Sequence, residues 1–506
     1  MGRVVVVGLD AMDASIVGSL VDRGELPTLA GLLRDGVRAP THNPDGLVVG
    51  GVWPSFATAT WPARHGFYCF RQFEAGTYRI RRFTPYDVHG PTLWSALSEA
   101  GKRCCIVDAP LTAPARGLRG VQVVDWGTHD RMLEPSTVPE ALLDELLAQH
   151  ASHPVLGKCD DYAARGDWAG LQTALARGAA AKTDLCIGLL DREPWDLFLA
   201  VYGETHCAGH QFWSLHDPAW GRRDPASDAV GDALVATYAA VDRQLGRLLE
   251  HVDPVTSIVV LLSHGIGPHH DGDHLVAEIV RRLEGSLGLA SPLRRAVEVG
   301  ARRADRIRRA VQRRVRPGDR RLVGATNVDG SRRFFPVPNN ELYAGVRVNL
   351  RGREPRGRVE PADLDATLGW LAERFLELVD ADDGRPLVHR VIRTDDLPGG
   401  ERRDHLPDLL IDWHREQPVT SAASPAIGVV RGTYSGIRTG DHRPAGLVVA
   451  RAPGAPGRML TRAIDVVDLA PTIAAHLGVT FEDVDGVPVP DLLAPDPPAA
   501  APAGAT

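Results

Sequence analysis

The stretch Trp195-Asp-Leu-Phe-Leu-Ala-Val-Tyr-Gly-Glu-Thr-His-Cys-Ala-Gly-His210 joins an apolar run to a pair of histidines. The run Trp195–Val201 is typical of a strand that is buried on both faces of a sheet. His206 and His210 stand four residues apart, so both imidazoles face one point if the segment continues as a helix. The stretch therefore predicts a buried strand followed by a helix that carries metal ligands.

Apolar runs alternate with helical patterns along most of the chain. Two of the helical patterns end on Gly36 and Gly101, and glycine commonly terminates a helix. Strands that alternate with helices favour an α/β fold with a central, mostly parallel sheet covered by helices on both faces. The other predicted strands include Arg3–Leu9, Arg103–Asp108 and Ser257–Leu262, and the predicted helices include Leu26–Gly36, Thr92–Gly101 and Tyr238–His251.

The composition of the 506 residues is that of an ordinary globular protein, with 44% hydrophobic and 24% charged residues. The net charge of −7 argues against a nucleic-acid partner. We expect no signal peptide and no membrane span, because no apolar run approaches about 18 residues. Six scattered cysteines are typical of reduced thiols and predict a cytoplasmic protein. For Cys207, between the two histidines, packing is favoured over a role in the site.

The predicted domain organisation is one α/β domain over residues 1–493 with a cap-like insertion at about 285–340. Within the insertion, Ser291–Arg321 is dense in arginine. This segment is either a helix that covers an anionic substrate or surface, or a solvated helical insertion, which the negative net charge favours. Residues 494–506 form an Ala/Pro-rich tail that we expect to be disordered.

Asp10, the Glu204–His210 group and His264 each follow a predicted strand, where the functional groups of an α/β sheet usually cluster, and His442 lies in a loop before the predicted strand Gly446–Ala450. Imidazole and carboxylate ligands suit a divalent ion, most readily zinc, with manganese or iron as alternatives. His264 and Glu204 are the candidate general bases. A hydrogen-bonded loop histidine is the alternative for any single position. The candidate metal ligands are Asp10, His206, His210, His264 and His442.

Several motifs resemble the type I phosphodiesterase/nucleotide pyrophosphatase branch of the alkaline phosphatase superfamily. They are Val7-Gly-Leu-Asp10, Leu26-Pro-Thr-Leu29, Ser55-Phe-Ala-Thr-Ala-Thr-Trp-Pro-Ala-Arg-His-Gly66, with Ala59 for the usual glycine, and Asp468-Leu-Ala-Pro-Thr-Ile473. The resemblance implies an alkaline-phosphatase-like sandwich and two metal ions. One ion would be held at the positions of His206, His210 and His442, and the other at Asp10, a hydroxyl nucleophile and His264.

Three positions depart from the pattern of the family. His206 and Ser263 replace aspartates, and Val49 stands where the threonine or serine nucleophile is expected. Thr41 and Ser55 could supply a hydroxyl, but neither matches the spacing. A metal-activated water could then replace the hydroxyl.

Three functions remain open from the sequence. The first is a metal-dependent hydrolase or transferase acting on a phosphate ester or a related anionic small molecule, with Arg64 or arginines of the 302–314 segment neutralising the substrate. The second is a repurposed enzyme with one histidine-bound ion and non-phosphatase chemistry. The third is a non-catalytic binding protein on the same fold.

Overall fold

A computed structural model describes residues 2–129, 131–155, 159–217, 219, 230–287, 326–328, 330–340 and 342–493. The predicted tail 494–506 and the arginine-rich segment 291–321 lie outside these residues, as does most of the predicted cap at 285–340. The chain forms two compact units, which are described separately below. The first comprises Met1–Tyr68, Thr84–His269 and Ser435–Thr506, and the second comprises Cys69–Phe83 and His270–Tyr434.

The first unit contains a ten-stranded sheet, a two-stranded ribbon and most of the helices. Its strands are β1 (Val4–Leu9), β2 (Val37–His42), β5 (Cys104–Val107), β6 (Gly120–Val124), β7 (Ser136–Val138), β8 (Leu197–Tyr202), β9 (Ser257–Leu262), β10 (Gly265–Pro268), β18 (Gly440–Arg443), β19 (Gly446–Arg451), β20 (Arg458–Met459) and β21 (Ile464–Asp465). Its helices are α1 (Ala14–Asp22), α2 (Pro27–Asp35), α3 (Val48–Thr58), α4 (Pro62–His65), α5 (Leu93–Glu99), α6 (Leu142–His150), α7 (Cys159–Ala164), α8 (Trp168–Leu190), α9 (Glu204–His216), α10 (Ala233–Glu250), α13 (Val466–His476) and α14 (Pro490–Leu493).

The second unit contains the elements between these segments. They are β3 (Arg71–Phe73), β4 (Arg79–Arg82), α11 (Asp273–Ser286), β11 (Thr326–Asn327), β12 (Phe334–Val337), β13 (Tyr343–Val348), α12 (Leu364–Leu376), β14 (Val388–Arg393), β15 (Leu409–Trp413), β16 (Ser421–Ser424) and β17 (Gly428–Arg431). An antiparallel sheet of order β12-β13-β15-β14 forms its centre. Leu275 and Ile279 of α11 and Leu368 and Leu371 of α12 share one apolar core with this sheet.

The large sheet of the first unit has the order β20-β2-β19-β9-β1-β8-β5-β6-β7, with β21 also paired to β2. The pairs of β1 with β8 and β9, and of β5 with β6 and β8, are parallel. The strands β7 and β19 run antiparallel to their neighbours. The expected mostly parallel sheet is therefore confirmed.

Helices cover both faces of this sheet. The side chains of β1 alternate between the faces, as in any strand. Val5, Val7 and Leu9 belong to an apolar core that includes residues of α1, α2, α8 and α10. On the other face, Gly8 lies against the indole of Trp53 on α3, and a Cβ atom at position 8 would come within 2.4 Å of it. Burial on both faces explains why the strand is an uninterrupted apolar run.

The register of the central strands aligns their carboxyl ends. Leu9 of β1 lies opposite Tyr202 of β8 and opposite Leu262 of β9. The residues that follow these three strands therefore start from one edge of the sheet, as the sequence predicted. Within the described part of the chain, every helix is too short or too polar to cross a lipid bilayer.

Candidate metal centre

Helix α9 follows β8 and begins at Glu204, so His206 and His210 are one helical turn apart. His442 approaches them on β18, whereas the sequence placed it in a loop. Two hydrogen bonds hold β18 against α9: Thr439 N donates to His210 O at 2.8 Å, and His210 Nδ1 donates to Gly440 O at 2.8 Å. The ribbon between β10 and β18 adds the pair Ile266 and His442.

The Nε2 atom of His206 faces those of His210 and His442. The Nε2 atom of His206 lies 3.1 Å from that of His210 and 2.9 Å from that of His442. All three side chains are buried, with at most 9% of the residue exposed. Each of these two short separations between ring nitrogens requires either a shared hydrogen or a cation between them.

The partners of the Nδ1 atoms decide between these alternatives. Each Nδ1 faces a carbonyl or carboxylate oxygen, which can only accept, so each Nδ1 must carry the hydrogen. In the neutral imidazole the Nε2 atom then has a lone pair, and the lone pair of His206 faces those of His210 and His442. This arrangement repels unless a cation lies between the nitrogens. The acceptors are Asp10 Oδ2 for His206 (2.6 Å), Gly440 O for His210 (2.8 Å) and Asp441 Oδ1 for His442 (2.9 Å).

Burial keeps these imidazoles neutral. Desolvation lowers the pKa of His206 and of His442 to about 4, and it lowers that of His210 well below its usual value. Neutral imidazoles at pH 7 are the form that binds a metal.

His264 follows β9 and is buried beside the same group. Its ring centroid lies 4.7 Å from that of His442, and Nδ1 faces Gly265 O at 3.2 Å. The Nε2 atom lies 3.7 Å from Asp10 Oδ1. Burial lowers the pKa of His264 to about 4, so this imidazole is also neutral at pH 7.

Both carboxylate oxygens of Asp10 accept hydrogen bonds from protein donors. Oδ1 accepts from Trp53 Nε1 at 2.7 Å and from Ser263 Oγ at 3.0 Å, and Oδ2 faces His206 Nδ1. Burial alone would raise the pKa of Asp10, but the neighbouring imidazoles and Trp53 lower it below the usual range. Trp53 and Ser263 thus surround the carboxylate that the family resemblance assigned to a second ion.

Glu204 is directed to a different partner. Its Oε1 atom lies 2.9 Å from His153 Nε2, and both side chains are buried. Burial would raise the pKa of Glu204, but the Lys182 ammonium, paired with Asp108 at 3.0 Å, and the contact with His153 lower it. The structure therefore brings Asp10, His206, His210, His264 and His442 together and directs Glu204 to His153.

The positions considered for a nucleophile lie on β2 and α3. Val49 is the second residue of α3, one turn before the Trp53 that reaches Asp10. Ser55 Oγ lies 3.0 Å from His65 Nε2. Thr41 is buried on β2 opposite Gly446 of β19.

Arg438 is a functional candidate that the sequence analysis missed. Its Nη1 atom lies 3.5 Å from His210 Nε2, and Asp160 holds the guanidinium through two contacts of 3.1 and 3.2 Å. Arg64, which the sequence suggested for substrate binding, instead pairs with Asp483 and Asp485. The only sequence signal for Arg438 is its position four residues before His442.

Solved structures of three related enzymes share this fold. Phosphonoacetate hydrolase from Sinorhizobium meliloti 1021, solved with phosphonoacetate, has a TM-score of 0.52 and 15% identity, and the alignment covers 93% of this chain and 94% of that one. Murine ectonucleotide pyrophosphatase/phosphodiesterase 5, in an inactive form with AMP, has a TM-score of 0.51 and 11% identity, with 96% and 97% coverage. A mutant of the alkaline phosphatase PafA has a TM-score of 0.51 and 14% identity, with 97% and 98% coverage.

No curated protein matches the sequence significantly. The profile of type I phosphodiesterase/nucleotide pyrophosphatase proteins matches residues 4–436, which is most of the chain. The expected alkaline-phosphatase-like α/β fold is confirmed by the solved structures. The chain belongs to the type I phosphodiesterase/nucleotide pyrophosphatase family.

Proposed function

We propose that this protein is a metal-dependent hydrolase of a small phosphate ester or phosphonate. The short Nε2–Nε2 separations of His206 from His210, 3.1 Å, and from His442, 2.9 Å, are the observation that carries the proposal. Membership of a family of phosphoester hydrolases supports the same reaction class. The neighbours solved with phosphonoacetate and with AMP hold anionic small molecules, which is consistent with an anionic substrate.

The three imidazoles fit a zinc ion. At Zn–N distances of about 2.0–2.1 Å, tetrahedral geometry separates two ligand nitrogens by about 3.3 Å, close to the two distances from His206 Nε2 in the protein. Three neutral histidines with an open fourth position are a known catalytic zinc set. When bound, the ion supplies Lewis acidity, which polarises a phosphoryl oxygen and lowers the pKa of water.

Asp10 acts on this site through His206 rather than as a ligand. Its carboxylate holds the Nδ1 hydrogen and so keeps the Nε2 lone pair directed at the ion. Asp441 does the same for His442. These two contacts fix the orientation of two of the three ligands before any metal binds.

Water is the nucleophile in this proposal, because Val49 has no hydroxyl and Ser55 is engaged with His65. His264 accepts the proton of the water, since it is neutral at pH 7 and its Nε2 atom is directed away from Gly265 O. The Asp10 carboxylate, 3.7 Å away, would stabilise the imidazolium that forms. Glu204, paired with His153, takes no part.

Arg438 binds the anionic oxygens of the substrate. Asp160 orients its guanidinium towards His210, and about a quarter of the Arg438 side chain is exposed, so a small anion can reach it. A planar guanidinium beside the metal ligands is suited to phosphoryl oxygens.

Metal analysis and ester turnover test the proposal together. His210→Ala and His442→Ala should each lower bound zinc by one equivalent per chain and abolish turnover of a chromogenic phosphodiester, phosphomonoester or phosphonate ester. The matched control is His216→Ala at the end of the same helix, where the imidazole pairs with Asp232. Unchanged zinc in both ligand variants would refute the site.

Arg438→Gln tests the substrate-binding residue separately. We expect a tenfold or greater rise in KM and a weaker inhibition by inorganic phosphate, with zinc content unchanged. Arg247→Gln is the control, because Arg247 also pairs with an aspartate, Asp184, but at the surface. Equal phosphate inhibition in the two variants would exclude Arg438 from substrate binding.

A second candidate function is a repurposed enzyme with one ion and a different reaction. The contacts of Asp10 with Trp53 and Ser263 favour it, because they occupy the carboxylate that a second ion of the family would use. Zinc bound by the histidines without turnover of any of the three esters would support this candidate. Absence of metal binding would leave a non-catalytic binding protein.

A further inference from the structure

A second group of metal-binding side chains lies beside the three imidazoles. His129, Cys159 and Cys207 are buried, and one nitrogen and two sulfur atoms of this trio lie within 4.8 Å of one another. His129 Nδ1 is 3.0 Å from Cys207 Sγ and 3.7 Å from Cys159 Sγ. Three soft donors therefore meet at one buried point, although 30 and 48 residues separate them along the chain.

The group is built from elements that already carry the first site. Cys207 follows His206 on α9, and the ring of His129 stacks on that of His206 with centroids 3.9 Å apart. Gln211 lies one turn after Cys207, and its Nε2 atom is 3.8 Å from Cys159 Sγ. Among the residues that the structure describes, the buried Oε1 atom of Gln211 has no hydrogen-bond partner.

We infer that His129, Cys159 and Cys207 form a second metal site, separate from the histidine site, that takes a thiophilic divalent ion such as zinc or cadmium. Thiolate and imidazole are the ligands that zinc prefers in structural sites. With Zn–S of about 2.3 Å and Zn–N of about 2.0–2.1 Å, tetrahedral geometry separates sulfur from nitrogen by about 3.6 Å. The two separations in the protein, 3.0 and 3.7 Å, need only a small adjustment of Cys207.

The charges balance in this site. Two thiols release their protons to solvent as two thiolates bind, and the two negative charges neutralise one divalent ion. The histidine stays neutral. A buried site of zero net charge avoids the large cost of placing an uncompensated charge in the protein interior. The histidine site keeps its full positive charge for an anionic substrate.

The position of Cys159 links this site to the substrate residue. Cys159 is the first residue of α7, and the next residue, Asp160, holds Arg438 through its carboxylate. An ion bound at Cys159 would fix the start of α7 and with it the Asp160–Arg438 pair. This consequence rests on the proposed function, whereas the metal site itself does not.

Cadmium loading of the full-length protein tests the site. Wild-type protein should bind two equivalents and show thiolate-to-cadmium charge-transfer absorption in the near ultraviolet. Cys159→Ser and Cys207→Ser should each lose this absorption and one equivalent. Cys186→Ser is the matched control, because Cys186 is a buried cysteine on α8. His210→Ala should lose the other equivalent and keep the absorption, which separates failure of this site from failure of the proposed function.

The wild-type protein alone can overturn the inference if a variant does not fold. Absence of the charge-transfer absorption after cadmium loading would refute a thiolate site. So would a disulfide between Cys159 and Cys207 in freshly purified protein, detected by thiol counting under denaturing conditions. Protection of two thiols from alkylation by cadmium, reversed by a chelator, would support it.

Discussion

Asp10→Asn is the sharpest test of how the histidine site is organised. The carboxylate accepts Trp53 Nε1 at 2.7 Å and Ser263 Oγ at 3.0 Å on one oxygen, and the other oxygen lies 2.6 Å from His206 Nδ1. Asparagine has nearly the same shape but only one acceptor oxygen, and its amide nitrogen is a donor. In the variant, the amide nitrogen must therefore face one of the protein donors, and that hydrogen bond is lost.

The amide oxygen should stay on the side with two donors. Its NH2 group then faces His206 Nδ1, and the imidazole loses the bond that keeps its hydrogen on Nδ1. Loss of such an outer partner typically weakens metal binding 10–100-fold, which corresponds to about 1.4–2.7 kcal/mol. We expect this loss without a change in the number of ions bound by the histidines.

The assay is zinc competition with a chromogenic chelator. A Cys159→Ser background removes the thiol pair, so the measured affinity belongs to the imidazoles. Asp13→Asn is the control, because Asp13 lies in the same loop and its carboxylate caps α1 by accepting from Ser15 N and Ile16 N. Equal affinity in Asp10→Asn and wild type would refute the orienting role. A loss beyond about 1000-fold would make Asp10 a direct ligand instead.

Three further predictions concern stability. Chelator-treated protein should lose stability as the pH falls from about 6.5 to 4. The unfolded chain then takes up protons on imidazoles whose pKa in the folded state is about 4, as at His206 and His442. The loss is at most roughly 3 kcal/mol per imidazole, and a urea midpoint that stays constant over this pH window would contradict it. Ala59→Gly should raise the free energy of unfolding by about 1 kcal/mol, because Ala59 ends α3 with a φ of 52°; equal urea midpoints would exclude backbone strain there. Lys182→Met should lower the free energy of unfolding by about 3–5 kcal/mol, because it removes the cation 3.0 Å from the fully buried Asp108. A loss below about 1 kcal/mol in thermal or urea unfolding would show that the pair is not needed.

The departures from the family pattern form one connected change in the structure. By the motif resemblance, Ser263 stands where the family has an aspartate, and it donates to Asp10 beside Trp53. By the same resemblance, His206 replaces an aspartate of the first ion, and its Nδ1 faces the other oxygen of Asp10. The second ion of the family thus loses the carboxylate of position 263, and the Asp10 carboxylate is already held by Trp53, Ser263 and His206. We therefore expect the histidine cluster to hold a single ion.

The strands, the helix α9 and the grouping of the candidate site residues were predictable because each depends on neighbouring residues. An apolar β-branched run is suited to a strand buried on both faces, and two histidines four residues apart share a helix face in any fold. The chain positions of Asp10, His206, His210 and His264 after apolar runs were enough to predict that they meet. The resemblance to the family motifs added the expected ligand set of each ion at these positions.

Contacts between distant segments could not be predicted from the local sequence pattern. The order β9-β1-β8 and its register decide that Asp10 faces Trp53, Ser263 and His206 together. Glu204, two residues before His206, points instead to His153, since a helix turns successive side chains by about 100°. Arg438 and the His129–Cys159–Cys207 group also depend on tertiary packing. Local pattern thus determined which side chains could bind a metal, and the tertiary structure decided which partners orient each one, because those partners come from other elements of the fold.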